Sequence, residues 1–99
     1  MSFFRDKVVI VTGSSSGIGK ALALQLGELG AKVVINSRGD GKLQQTADEL
    51  SAKGYDILAV PANVGKLDEC RRLVDTTLQQ YGRIDYLINN AGANMHGRV

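Results

Sequence analysis

The sequence predicts an α/β protein built on a doubly wound parallel sheet. Two observations carry that prediction. Across the 99 residues, short aliphatic runs alternate with longer amphipathic stretches in the order β-α-β-α-β-α-β. The aliphatic runs are continuous rather than alternating with polar residues, the pattern of strands covered on both faces. Right-handed crossovers between successive strands then put helices on both sides of the sheet.

The first strand is Val8-Val9-Ile10-Val11, β-branched throughout and bounded by Lys7 and Gly13. A helix follows from Ile18, with Ala21, Leu22, Leu26 and Leu29 forming its expected apolar face and Gly30 its C-terminal cap. Val33-Val34-Ile35 is the second strand. Leu43, Ala47 and Leu50 mark the second helix, with Asp40 expected as its N-cap and Gly54 as its stop. Ile57 to Val60 is the third strand; Pro61 closes it and points to an edge or a strand end, because proline cannot donate to the ladder. The third helix carries Leu67, Cys70, Val74, Leu78 and Tyr81, with Arg71 alone breaking the stripe. Gly65 is its expected cap, and Asp68 suits the positive end of its dipole. Ile84 to Ile88 is the fourth strand.

Composition narrows the function. Apolar residues are 43% and charged residues 22%, the balance of a globular domain of modest core. A formal charge of +2 without a basic block gives no electrostatic case for nucleic acid or an anionic membrane. The longest aliphatic run, Val8 to Val11, is far short of a span, and the N-terminus lacks the pattern of a signal peptide. Cys70 is the only cysteine, so no internal disulfide is possible and a reducing, cytoplasmic compartment is expected.

The chemistry-bearing motif is Thr12-Gly13-Ser14-Ser15-Ser16-Gly17-Ile18-Gly19, between the first strand and the first helix. A turn this tight needs glycine for positive φ and for close approach of backbone to a ligand. The free amides and dipole of the following helix favour an anion, and the three serines are expected to add hydroxyl donors. The turn is not a P-loop: Gly19-Lys20 is followed by Ala21, and Ser14 stands where the first glycine belongs. Nor is it G-x-G-x-x-G, because its glycines run G-x-x-x-G-x-G.

This turn resembles the cofactor motif of the short-chain dehydrogenases/reductases in spacing and in place. A second motif agrees, for Asn89-Asn90-Ala91-Gly92 follows the fourth strand as that family's NNAG does. The resemblance runs from about Lys7 to about Met95 and covers roughly the first third of a usual member. It implies a partial Rossmann fold with strand order 3-2-1-4, so that residues 1–99 form the N-terminal, NAD(P)-binding part of a single domain. It also implies that Gly13, Ser15, Ser16 and Ile18, set by Gly17 and Gly19, line the pyrophosphate and adenosine ribose. Asn90, Ala91 and Gly92 would face the ribose through their backbone, while Asn89 fixes the strand end. Asn63-Val64 stands where the family often has Asp-Val beside adenine; an amide can still hydrogen-bond the base.

After the second strand, an NAD-specific site places an acid on the ribose hydroxyls. Here the chain reads Asn36-Ser37-Arg38. Ser37 occupies the acid's place, and Arg38 can make a charge-assisted pair with a 2′-phosphate. NADP(H) is therefore expected over NAD(H).

In the family a serine and a Tyr-x-x-x-Lys pair perform hydride chemistry on a carbonyl or alcohol substrate. None of Tyr55, Tyr81 and Tyr86 is followed by lysine at that spacing, and no catalytic residue is assigned. The chain alone is expected to be inactive, with the three tyrosines packing or on the surface. His96 lacks a partner at metal or triad spacing, Cys70 reads as an inert half-buried thiol, and Lys20 as a solvated first-turn lysine. Met95 lies where a member would approach the nicotinamide. The fourth strand would present an unpaired apolar edge, a route to self-association. Two rival readings remain at this point: a non-catalytic nucleotide-binding or interaction module, and a Rossmann protein binding S-adenosylmethionine. The latter also wants an acid where Ser37-Arg38 stands.

Overall fold

The computed structural model describes residues 3–39 and 41–90. The strands are β1 (Val8–Val11), β2 (Lys32–Ser37), β3 (Asp56–Pro61) and β4 (Tyr86–Ile88). The helices are α1 (Gly17–Glu28), α2 (Leu43–Ala52) and α3 (Leu67–Tyr81). All strand pairs are parallel and the order is β3-β2-β1-β4, as expected. β1 sits inside, with Ile10 opposite Val34 on one side and Leu87 on the other.

Alternate residues of β1 and β2 feed two cores, which is why their sequences are apolar without a break. Val9, Val11, Val33 and Ile35 pack with Ala23 and Leu26 of α1 and with Leu43, Ala47 and Leu50 of α2. Val8, Ile10 and Val34 pack on the opposite face with Val60, Ala62 and Leu73 of α3. β3 is an edge strand ending at Pro61, as the proline implied.

The helix faces differ from the hydrophobic stripes. On α1, Ile18, Ala21 and Leu29 are exposed, and the buried residues are Gly19, Ala23, Leu26 and Gly27. The contact face is made of small residues: a Cβ on Gly27 would lie 2.6 Å from the Tyr55 ring. Gly30 does close α1. The Gly30 and Ala31 N–H groups donate to the carbonyls of Gly27 and Leu26, the paired bonds of a Schellman ending.

On α3, Leu67 and Leu78 are exposed, whereas Leu73 and Thr77 are buried. Thr77 can be buried because its hydroxyl donates to the Leu73 carbonyl at 2.8 Å. The residue at the N-cap of α3 is Lys66 rather than Gly65, and that of α2 is Lys42, with no side-chain cap in either. Asp40 lies outside the described residues. β4 begins at Tyr86 instead of Ile84, because Asp85 turns its carboxylate back to accept the Val8 N–H at 2.8 Å.

Candidate functional site

Four loops meet at the carboxyl ends of the strands, the place where open α/β sheets hold ligands. The turn after β1 has Gly13 and Gly17 both at φ 62°, which is what the two glycines supply. Ser16 is extended at the N-cap of α1 and makes no side-chain cap hydrogen bond. The first-turn amides of α1 are therefore without a side-chain cap from Ser16, and no acidic side chain stands among them. Gly17 has nothing within 4 Å of where a Cβ would stand, and Ile18 is 73% exposed. Gly19 lies on the opposite, crowded side, where α1 presses on the turn.

Hydrogen bonds lock this turn to its neighbours. The buried Ser14 hydroxyl donates to Val11 O at 2.7 Å and accepts the Asn36 N–H at 2.8 Å, while the Ser14 N–H donates to Asn36 O at 2.8 Å. Ser14 is thus a strap between β1 and β2, which corrects its expected place among the hydroxyl donors of the turn. Ser15 is buried, and its carbonyl accepts the Thr46 hydroxyl at 2.8 Å, tying the turn to α2. Ser16 is exposed.

The end of β4 is fastened in the same way. Thr12 Oγ1 donates to Asn89 Oδ1 at 3.1 Å, and Asn90 Nδ2 donates to Gly13 O at 3.0 Å. Asn89 and Asn90 thereby hold the second motif against the first. Ala91 and Gly92, the rest of that motif, lie outside the described residues, as do Met95 and His96.

Ser37 is buried at the end of β2 and its carbonyl accepts the Ala62 N–H at 2.9 Å. Arg38 follows it, exposed, and makes no ion pair among the described residues. Asn63 is half-buried: its N–H donates to Glu69 at 2.7 Å and its Oδ1 accepts the Gly65 N–H at 2.9 Å. Val64 lies beside it and lines, with Ile10, Cys70, Leu73 and Leu87, an apolar cleft of about 180 Å³ between α3 and β4. Lys20 reaches from the start of α1 to Glu49 of α2, at 3.0 Å; it is paired rather than simply solvated.

Sequence reasoning gave no bonding role to Thr12, Asn36 or Thr46. All three are buried polar residues whose partners are distant in sequence. The signal available was a polar residue at an inward strand or helix position. Among the described residues no group of three or more His, Cys, Asp or Glu could hold a metal ion. No helix among them is long and apolar enough to cross a membrane.

Residues 7–99 match the family of short chain dehydrogenases. Over 87 residues the chain is 44% identical to 11-beta-hydroxysteroid dehydrogenase A of Sesamum indicum, covering 87% of this chain and 25% of that protein. A crystal structure of a short-chain dehydrogenase/reductase from Burkholderia phymatum in complex with NAD is 33% identical, with a TM-score of 0.83 over 88% of this chain and 31% of that one. The actinorhodin polyketide ketoreductase with NADPH is 34% identical, with a TM-score of 0.83 over 91% of this chain and 34% of that one. The first curated relatives are spanned over 25% to 38% of their length.

Proposed function

The chain belongs to the short-chain dehydrogenase family, and from that membership we propose that it is the NADP(H)-binding, N-terminal part of an oxidoreductase that interconverts a carbonyl and an alcohol. The observation that carries the reading is the uncapped first turn of α1 beside the open side of Gly17. Amides at a helix N-terminus that lack a side-chain cap and a neighbouring acid suit a pyrophosphate. That donor set, together with Arg38 and Asn63 at the neighbouring strand ends, fits an adenine dinucleotide.

In this reading Gly13, Ser15, Ser16, Gly17, Ile18 and Gly19 form the pyrophosphate cradle. Ser37 and Arg38 meet the adenosine ribose, Asn63 and Val64 the adenine, and Asn90, Ala91 and Gly92 the far ribose. The nicotinamide supplies hydride when bound; this chain's residues bind and orient. The sequence contains no Tyr-x-x-x-Lys, so the 99-residue chain alone is inactive. The substrate of the longer enzyme is a small carbonyl or alcohol compound, and the compartment is the cytoplasm.

NADP(H) is favoured because no carboxylate stands at Ser37 to repel a 2′-phosphate and Arg38 is exposed beside it. Solved relatives occur with NAD and with NADPH, so the choice rests on this chain's own residues. A ligand that binds only the native state raises the melting temperature by mass action. NADPH is expected to raise it more than NADH, and Arg38→Ala to bring NADPH down to the NADH level. The loss corresponds to about tenfold to a hundredfold in affinity, the scale of one hydrogen bond to a charged group. Equal shifts in the unmutated chain would overturn the NADP(H) preference, and no shift with either nucleotide would overturn the binding reading.

A further inference from the structure

Asn36 occupies the inward face of β2, 1% exposed, on the side of the sheet that otherwise holds Ile10, Val34 and Leu73. An uncharged amide among aliphatic side chains needs its hydrogen bonds made internally. Its Nδ2 donates to Val60 O at 2.9 Å and to Ala62 O at 3.1 Å. These two carbonyls flank Pro61, the residue that has no N–H to give the sheet. An NH2 group carries two diverging hydrogens and can serve both carbonyls, whereas a hydroxyl has one. Asparagine is therefore the short side chain that fits this bend.

The backbone of the same residue is bound on its other side. Its N–H donates to Ser14 Oγ and its carbonyl accepts the Ser14 N–H, both at 2.8 Å. One residue thus joins the glycine turn after β1, the end of β2 and the exit of β3. Arg38 is two positions beyond Asn36, and Asn63 is one beyond Ala62. The pyrophosphate turn is held through the Asn36 backbone, while the exits toward Arg38 and Asn63 are held by the Ser37–Ala62 backbone bond and, beside it, by the Asn36 side chain.

We propose that Asn36 is a positioning residue for the adenosine end of the nucleotide, its side-chain amide fixing the spacing between the 2′-phosphate anchor Arg38 and the adenine partner Asn63. The proposal rests on the cofactor reading given above. It goes beyond that reading by assigning recognition of the adenosine to a residue that does not touch the ligand. Deleting the amide leaves the turn after β1 strapped by backbone and Ser14 and the Ser37–Ala62 backbone bond in place. It removes the two bonds that fix how the chain passes through Pro61 toward Asn63.

The test measures binding of adenosine 2′,5′-bisphosphate and of adenosine 5′-monophosphate, which differ only in the 2′-phosphate, to the 99-residue chain by calorimetry, alongside its thermal melt. Asn36→Ala is expected to reduce the preference for the 2′-phosphorylated probe by about tenfold, the scale of coupling within one hydrogen-bond network. Thr77→Ala, a buried change on α3 one turn beyond Leu73, lowers the melting temperature and leaves that preference as it was. Asn36→Ser, which keeps one donor, gives an intermediate ratio and is read in place of Asn36→Ala if the alanine variant does not fold. An Asn36 variant that melts lower but binds both probes with the unmutated ratio makes the residue purely structural and overturns the proposal. An unmutated chain that binds neither probe overturns the cofactor reading, and this proposal with it. Binding of both probes at equal strength overturns the role given to Arg38, and with it the spacing argument.

Discussion

At Gly19 the helix and the turn approach so closely that a hydrogen is all the space allows. A Cβ there would lie 2.3 Å from Gly13 O, 2.8 Å from Asn90 Nδ2 and 2.9 Å from Ser14 Cα. Two of these three atoms are backbone in a turn already fixed by Ser14, so they cannot yield as a flexible side chain would. Gly19→Ala is expected to destabilise the chain by about 1–3 kcal/mol, the cost of overpacking a tight site, which urea unfolding measures. It should also weaken nucleotide binding, because the displaced groups are Gly13 and Asn90. Gly17→Ala acts differently: its Cβ meets open space, but φ is 62°, so the penalty is backbone strain without a clash. A Gly19→Ala variant as stable as the unmutated chain would show that α1 can lift away from the turn.

At the scale of elements, the order of strands and helices was legible because each inner strand is a continuous aliphatic run, and a sheet with helices on both faces demands one. Helix faces were less legible. Hydrophobic periodicity credits Ile18 and Leu29 of α1 and Leu67 of α3 with burial, yet these are exposed, while Gly19, Gly27 and Thr77 are buried. A glycine adds nothing to an apolar stripe but permits the closest contact, as Tyr55 over Gly27 shows. The candidate site divides along the same line. Its glycine turn and the Asn89-Asn90 motif are local patterns and could be read. The straps through Ser14, Asn36 and Thr46 join residues 22 to 31 positions apart, and no local pattern encodes them.

The attachment of β4 carries a pH dependence. Asp85 accepts hydrogen bonds from Arg83 at 2.7 Å and from the Val8 N–H at 2.8 Å. The Arg83 hydrogen bond first, and the backbone N–H second, hold its carboxyl below the ordinary aspartate value of 3.8. A carboxyl lowered in the folded state stabilises the fold above its unfolded value, and that contribution is lost as pH falls through the lowered one. Asp85→Asn is expected to lower the melting temperature at neutral pH and to flatten its decline on the acid side. Melts across the acid range check this. An unchanged acid limb in the variant would mean that the Asp85 charge adds nothing to the hold that the β1 ladder and the Thr12 N–H to Ile88 O bond have on β4.

At the scale of the whole molecule, the two edges of the sheet are unequal. β3 ends in Pro61, which offers no donor, and its first residue, Asp56, accepts the Tyr81 hydroxyl at 2.7 Å from α3. Such an edge is blunted against further pairing. β4 has no equivalent device among the described residues. Phe3 and Phe4 stack near Tyr86, with ring centroids 5.9 and 5.8 Å away, but Leu87 is 61% exposed, and the apolar cleft toward α3 lies beside it. An unpaired strand next to an apolar hollow is a template for another chain. The 99-residue chain is therefore expected to self-associate as its concentration rises, with Leu87→Lys shifting it toward monomer by placing a charge on the edge. Sedimentation velocity over a concentration series measures both. A monodisperse, cooperatively melting monomer at all concentrations would overturn the expectation. It would also mean that β1 pairing and the Asp85 and Thr12 anchors suffice to keep β4 in place with its outer edge in water.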